Sequence, residues 1–210
     1  MVKKTDFEQS SSLGASTGIG ALQALVARAA DGSRGLPPVD KWNPPFCGDI
    51  DMEIRADGTW FYMGTPIGRA PLVRLFSTVL RKDGDGKTYL VTPVEKVSIR
   101  IVDAPFVAVE MVRETGEAGP VLTFRTNVGD VVSASAEHPI RFEIEAATGG
   151  LKPYVHIRGR LEALFSRALM YELVALGEEI LVDDELWFAV RSGGQIFKIM
   201  LASRLAELSL

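Results

Sequence analysis

The sequence predicts an α+β protein of two domains sharing a duplicated strand-turn-strand-helix motif, the second domain β-rich. Two observations carry this reading. The run Leu72-Val-Arg-Leu-Phe-Ser-Thr-Val-Leu80 returns as Leu161-Glu-Ala-Leu-Phe-Ser-Arg-Ala-Leu169, identical at five of nine positions with an offset of 89 residues. A repeat of this kind constrains the architecture before any local assignment, and two related units create a cleft where they meet. The second observation is a change of hydrophobic period: Ile50, Met52 and Ile54 alternate before the first copy, and Ile140, Phe142 and Ile144 before the second. Each nonapeptide then spaces its apolar residues at i, i+3, i+4, i+7 and i+8, which predicts a helix in both copies.

Residues 1–16 are polar and serine-rich and read as a flexible tail. Ile19 to Ala30 follows helical spacing, and a proline-bearing connector from Leu36 to Pro45 leads to the first unit. That unit reads as a strand, the turn Asp57-Gly58, the aromatic strand Trp60-Phe-Tyr62, Gly64, and a helix with Pro71 in its first turn, where a missing N–H costs nothing. Asp83-Gly-Asp-Gly-Lys87 reads as a hairpin or linker turn and sets the domain limits at 17–86 and 87–210. Seven β-patterned segments follow, near 88–92, 96–102, 106–114, 120–126, 131–134, 139–145 and 154–158, and then the second nonapeptide with Gly177 placed to cap its helix. Seven strands closed by a helix is the pleckstrin-homology-like count. A last hairpin over Leu186–Leu201, turning at Ser192-Gly-Gly194, precedes a short tail helix.

Composition bounds the function. Apolar residues make up 47% and charged residues 24%, as in ordinary globular domains. A net charge of −4 excludes bulk attraction to nucleic acid or an anionic membrane and leaves room for a local basic pocket. One cysteine, Cys47, excludes an intrachain disulfide, and no apolar leader or spanning run is present, so the expected location is the cytoplasm.

No catalytic signature survives its context. Gly14-Ala-Ser-Thr-Gly18-Ile-Gly20 imitates a dinucleotide turn, but the preceding Lys3 to Ser12 is polar and cannot be the buried strand that such a turn follows. His138, His156 and Cys47 lack paired metal-ligand spacing, and Asp83-Gly-Asp-Gly lacks the closing glutamate of a calcium loop. No Gly-x-Ser-x-Gly elbow occurs. The expectation is therefore no metal and no cofactor. Ser77 and Ser166, at matching repeat positions, read either as paired ligand hydroxyls or as small residues where a helix meets a sheet. Arg69 precedes a helix N-terminus, where an anion is favoured, and reads otherwise as a solvated loop residue. His138 reads as a structural histidine, and Asn127 and Asp130 as backbone caps.

Trp42-Asn-Pro, Cys47-Gly-Asp-Ile50, Asp57-Gly-Thr-Trp60-Phe-Tyr62-Met-Gly64-Thr-Pro66-Ile67, Tyr89-Leu-Val-Thr92-Pro-Val-Glu95-Lys96, Asp103-Ala-Pro105-Phe106 and Thr126-Asn127 to His138-Pro139 together resemble the bacterial domain-of-unknown-function 1285 family over about 40–200. The resemblance implies two domains, a duplicated core motif, and an interdomain face that receives a nucleotide-like ligand in signalling. Its motif residues on such a face are Trp60, Tyr62, Arg69, Thr92, Glu95, Lys96, Asn127 and Arg141. The expected function is a non-enzymatic cytoplasmic binding protein for an anionic ligand. Arg69 and Lys96 offset its charge and an aromatic residue stacks on it. The alternative is a protein-interaction or scaffold module, and base rates admit a homodimer. An enzyme acting through Asp57, Glu95 or His138 ranks third.

Overall fold

The computed structural model describes residues 35–208. The tail over 1–16, the Gly14–Gly20 motif and the helix expected over 19–30 lie outside the described residues. After a short 3-10 turn at Val39–Lys41, the first sheet forms from β1 (Phe46–Ile54), β2 (Trp60–Tyr62), β3 (Thr65–Pro66), β4 (Leu80–Lys82), β5 (Thr88–Val91) and β6 (Lys96–Ile101), with helix α1 (Ala70–Thr78) between β3 and β4. Its spatial order is β3-β2-β1-β6-β5-β4. Two antiparallel meanders thus meet at a single parallel pair, β1 beside β6.

The second sheet takes β7 (Phe106–Gly116), β8 (Gly119–Thr126), β9 (Val131–Ser133), β10 (Ile140–Ile144), β11 (Leu151–Arg158) and β12 (Leu161–Phe165). Its order, β10-β11-β12-β7-β8-β9, again places two antiparallel meanders on either side of one parallel pair, here β7 beside β12. The two sheets therefore have the same strand order. Helix α2 (Arg167–Val174) follows, then a three-stranded sheet of β13 (Glu178–Val182), β14 (Glu185–Ser192) and β15 (Gln195–Leu201), and helix α3 (Ala202–Leu208). Ser192 fastens this last sheet: its buried hydroxyl accepts from the Leu122 N–H at 2.8 Å and donates to the Ala134 carbonyl at 2.8 Å. Satisfying both partners of a buried hydroxyl removes the desolvation penalty of placing it there.

Alternating strands put their apolar faces into one continuous core that draws on both large sheets, including Ile54, Trp60, Leu90, Phe106, Phe124 and Leu161. Phe124 and Phe165 meet edge to face, ring centres 4.9 Å apart, the arrangement that aromatic quadrupoles favour. Among the described residues no helix is long and apolar enough to cross a membrane.

The structure overturns the helix expected at Leu161–Leu169. Leu161–Phe165 is strand β12, held between β11 and β7, with Leu161, Ala163 and Phe165 buried and the residues between them half-buried. The same five residues satisfy both a helical stripe and a two-residue alternation. Hydrogen bonding on both sides of a central strand decides between them, because every backbone donor buried there needs a partner. In the first copy Pro71 sits in the opening turn of α1 and the nonapeptide is helical through Thr78. The repeat of 89 residues is therefore not a structural repeat; what recurs is strand order. Gly177 is not a left-handed cap either. A Cβ there would stand 2.2 Å from Cζ of Phe188, so glycine serves close approach. The expected boundary at 86/87 falls inside the first sheet: Asp83–Lys87 is the hairpin turn joining β4 to β5, and the chain passes between sheets at residues 102–105.

Ser77 and Ser166 consequently do different work. Ser166 is the N-cap of α2 and its hydroxyl accepts from the Leu169 N–H at 3.3 Å. Ser77 lies inside α1 and donates to the Arg74 carbonyl, which its own helix already uses. Ser166→Ala is expected to cost about 1 kcal/mol. Ser77→Ala should cost about 0.5 kcal/mol or less, with urea denaturation as the measurement for both.

Candidate functional site

The functional candidate lies at the junction of the two large sheets, where a cleft of about 610 Å³ opens between the Val39–Asn43 segment, the end of β4 and the β11–β12 turn. Arg81 builds one wall. Its Nη1 donates to the carbonyls of Val39 at 2.8 Å and Trp42 at 2.7 Å, fastening the connector to β4. Its remaining donors grip Asp83, Nε to Oδ1 at 2.6 Å and Nη2 to Oδ2 at 3.2 Å, and Lys96 Nζ adds a third bond at 3.0 Å. These bonds, Arg81's first, hold the Asp83 carboxyl below the usual carboxylate range. Asp83 is thereby neutralised within its own cluster.

Arg158 builds the opposite wall. It leaves the end of β11 and donates from Nη2 to the Ser77 carbonyl at 2.7 Å, in the last turn of α1, where the helix dipole favours a cation. Its Nη1 lies 2.7 Å from Oδ1 of Asp130 as a charge contact too poorly aligned to count as a hydrogen bond, and its guanidinium stands 4.9 Å from the Phe106 ring centre. Gly159 turns the chain with φ of +54°, and its carbonyl lies 2.8 Å from Nε2 of His156. Arg160 then projects from the turn against Gly84, where a Cβ would stand 3.1 Å from Nη1.

The cleft has five cationic side chains, Lys41, Arg81, Lys82, Arg158 and Arg160, against the carboxylates Asp40 and Asp83. Arg81 and Arg158 are committed to partners, whereas Lys41, Lys82 and Arg160 are exposed and have no ion-pair or hydrogen-bond partner among the described residues. A second cleft of about 390 Å³ shares Lys82 and Arg160. Its other cations are occupied: Lys152 bonds Asp103 at 2.7 Å and Glu145 at 3.1 Å, and Arg141 holds Glu162 through two 2.6 Å bonds and also pairs with Glu143.

The eight residues expected to form one site are dispersed. Arg141 is a salt-bridge partner stacked 3.9 Å over Tyr154. Lys96 serves Asp83 and lies 4.4 Å from the Tyr89 ring centre. Thr92 is buried, its hydroxyl accepting from the N–H groups of Val94 and Glu95 to close the β5–β6 turn. Trp60 is 1% exposed in the core, and Tyr62 is half-buried opposite Met52 on β1. Arg69 occupies the N-cap position of α1 and is exposed. Asn127 bridges the sheets instead: Oδ1 accepts from the Val107 N–H at 3.0 Å and Nδ2 donates to the Gly58 carbonyl at 3.4 Å. With Trp60 it lines a separate 210 Å³ depression. Of Asn127 and Asp130, only the first caps backbone; Asp130 is the partner of Arg158. His138 keeps a structural bond from Nδ1 to the His156 carbonyl at 3.1 Å. Sequence reasoning missed Lys41, Lys82 and Arg160, whose one signal is the Arg158-Gly-Arg160 turn.

Glu95 is 6% exposed, and no bond to its carboxylate exists among the described residues. Burial pushes its carboxyl above the usual value. A carboxyl raised in the folded state favours folding below its unfolded value and loses that contribution as pH rises through the folded one. Glu95→Gln is therefore expected to raise the melting temperature at pH 7, with the gain vanishing by about pH 4, as followed by calorimetry across that range.

Comparison with known proteins agrees with the division between sheets. The profile described as "Domain of unknown function (DUF1285), N-terminal domain" matches residues 37–104, and "Protein of unknown function (DUF1285), C-terminal domain" matches residues 105–199. No curated protein matches. The crystal structure of a DUF1285 family protein from Silicibacter pomeroyi DSS-3 is similar, with 50% identity and a TM-score of 0.77 over 87% of this chain and 97% of that one. A DUF1285 family protein from Shewanella baltica OS155 shares 27% identity over 59% of this chain and 90% of that one, with a TM-score of 0.48. With both family domains matched in order across the two sheets, this chain belongs to the DUF1285 family.

Proposed function

We propose that the protein is a non-catalytic binding protein that takes a small anionic molecule into the junction cleft. The observation that carries this reading is the set of three cations, Lys41, Lys82 and Arg160, that have no partner among the described residues and gather in one concavity of a chain whose net charge is −4. Isolated surface cations are common. Three that converge with no carboxylate partner among the described residues raise the local potential and draw an anion in. Arg160 offers a planar fork that matches a carboxylate or phosphate through two parallel bonds, and Lys82 adds a point charge. Trp42, half-buried in the same wall, gives a flat apolar face. This reading replaces Arg69 and Lys96 as the ligand's counter-charges.

A second reading, an interaction module, draws on one observation. Leu181 and Leu186 face each other across β13 and β14 at 67% and 44% exposure, an apolar pair at the end of a hairpin whose β13 edge pairs with no other strand among the described residues. The pair is small beside a stable interface of roughly 800 Å² per partner, so anion binding is favoured.

The test is a thermal-shift screen against nucleotides, sugar phosphates and dicarboxylates. A ligand present at about 100 times its dissociation constant adds about 2.7 kcal/mol of stability. The expected result is a reproducible upward shift that disappears in the Lys82→Gln/Arg160→Gln double variant, whose own melting temperature stays within about 1 °C of wild type because both side chains are exposed and have no partner among the described residues. A shift that persists in the double variant would place the ligand elsewhere.

A further inference from the structure

We infer that the free edge of β13 is a docking site for an extended peptide strand that alternates basic and apolar residues; no residue of the junction cleft takes part in it. Backbone geometry sets the first condition. Asp183 and Asp184, at φ of +54° and +64°, form the two-residue turn between β13 and β14, and the residues flanking such a turn exchange both backbone bonds. Counting back from the Val182–Glu185 pair, Ile180 and Glu178 also turn their N–H and C=O groups toward β14. Glu179 and Leu181 therefore point theirs away from the sheet, where they have no partner among the described residues. An added strand satisfies those groups. The other edges are poorer templates: β3 has two residues and β4 and β9 three each, while β10 and β15 pack against each other.

Side chains set the second condition. Glu179 and Leu181 stand on one face of the sheet, and Leu181 is exposed there beside Leu186. Arg191 pairs with Glu178 at 2.7 Å and Lys198 with Asp183 at 3.5 Å. That leaves Glu179, Asp184 and Glu185 exposed and with no partner among the described residues. The helices on either side of this sheet do not offset them, since α2 brings Glu172 with Arg167 and α3 brings Glu207 with Arg204. Pairing β13 with β13 of a second copy would therefore set two acidic hairpins side by side, and like charges across a strand pair are destabilising. A basic strand meets the opposite charge. The segment that fits carries an apolar residue opposite Leu181, with a basic residue two positions away on each side, one opposite Glu179 and one beside the acidic turn. Main-chain bonds supply the affinity of such a complex and alternate side chains its selectivity, so the two leucines need only receive the central side chain.

The experiment is an amide NMR titration of the full chain with the peptide Thr-Lys-Thr-Ile-Thr-Lys-Thr, its counterpart Thr-Glu-Thr-Ile-Thr-Glu-Thr, and the lysine peptide N-methylated at its isoleucine. The lysine peptide is expected to shift the Glu179 and Leu181 amides and to bind about tenfold or more tighter than either control. Glu179→Lys, at an exposed position, should bring the lysine and glutamate peptides close to equal affinity, while Arg113→Gln, on β7, leaves the preference intact. Equal binding of the glutamate peptide by the wild-type chain would overturn the basic partner, and equal binding of the N-methylated peptide would overturn strand pairing. Shifts confined to other strands, or no shifts at all, would overturn the site. None of these outcomes bears on anion binding in the junction cleft.

Discussion

The guanidinium of Arg158 holds the two large sheets in their mutual arrangement. It issues from β11 of the second sheet, caps the last turn of α1 in the first, contacts Asp130 after β8 and lies over Phe106 at the start of β7. A cation at a helix C-terminus, paired with a carboxylate and roofed by an aromatic ring, satisfies three separate electrostatic preferences at once. Its side chain is 20% exposed and that of Asp130 18%. The partly excluded solvent makes the contact stronger than a surface pair and makes removal of either partner costly. Asn127 supplies a second tie through Gly58, whose Cβ, if it had one, would collide with Asn127 at 2.5 Å. With both ties made, the sheets share one core and leave a cleft of defined width beside them.

That cleft divides cations that build from cations that wait. Arg81, Arg141, Lys96, Lys152 and Arg158 are each consumed by carboxylates or carbonyls, and they order the turns and strand ends around the junction. Lys41, Lys82 and Arg160 have no such duty among the described residues. Interior and half-buried charge is expensive without a partner, whereas exposed charge at the mouth of a concavity keeps its hydration until a ligand displaces it. The committed residues thus give the uncommitted ones a rigid frame, and rigidity lowers the ordering cost of binding.

Part of the strand pattern was legible because alternation survives where one sheet face meets the core, as at Met52 and Ile54 of β1 and Leu122 and Phe124 of β8. The helix at Ala70–Thr78 was equally plain, since Pro71 and the apolar stripe agree. Leu161–Phe165 misled because its five residues fit both periods, and the deciding factor, neighbouring strands on both sides, is contributed by residues far away in sequence. Ser166 did carry a local signal, a serine directly before the helical Arg167, which the longer helix reading obscured. The candidate site was less legible for a related reason. Trp60, Thr92 and Glu95 look functional as residue types, yet each is buried in the first sheet or its turns. Lys41, Lys82 and Arg160 look like ordinary loop and edge cations, and only the packing of two sheets brings them together.

Arg158→Met keeps most of the side-chain volume while deleting the charge, and hydrogen exchange followed by mass spectrometry reads its effect on each sheet separately. If Arg158 joins the sheets, amides of β4, β5 and β6 will exchange in a different opening event from those of β11 and β12, and global stability will fall by about 2–3 kcal/mol. If both sheets still open in one event at unchanged stability, the guanidinium does not hold the junction, and the account of the cleft built on it fails.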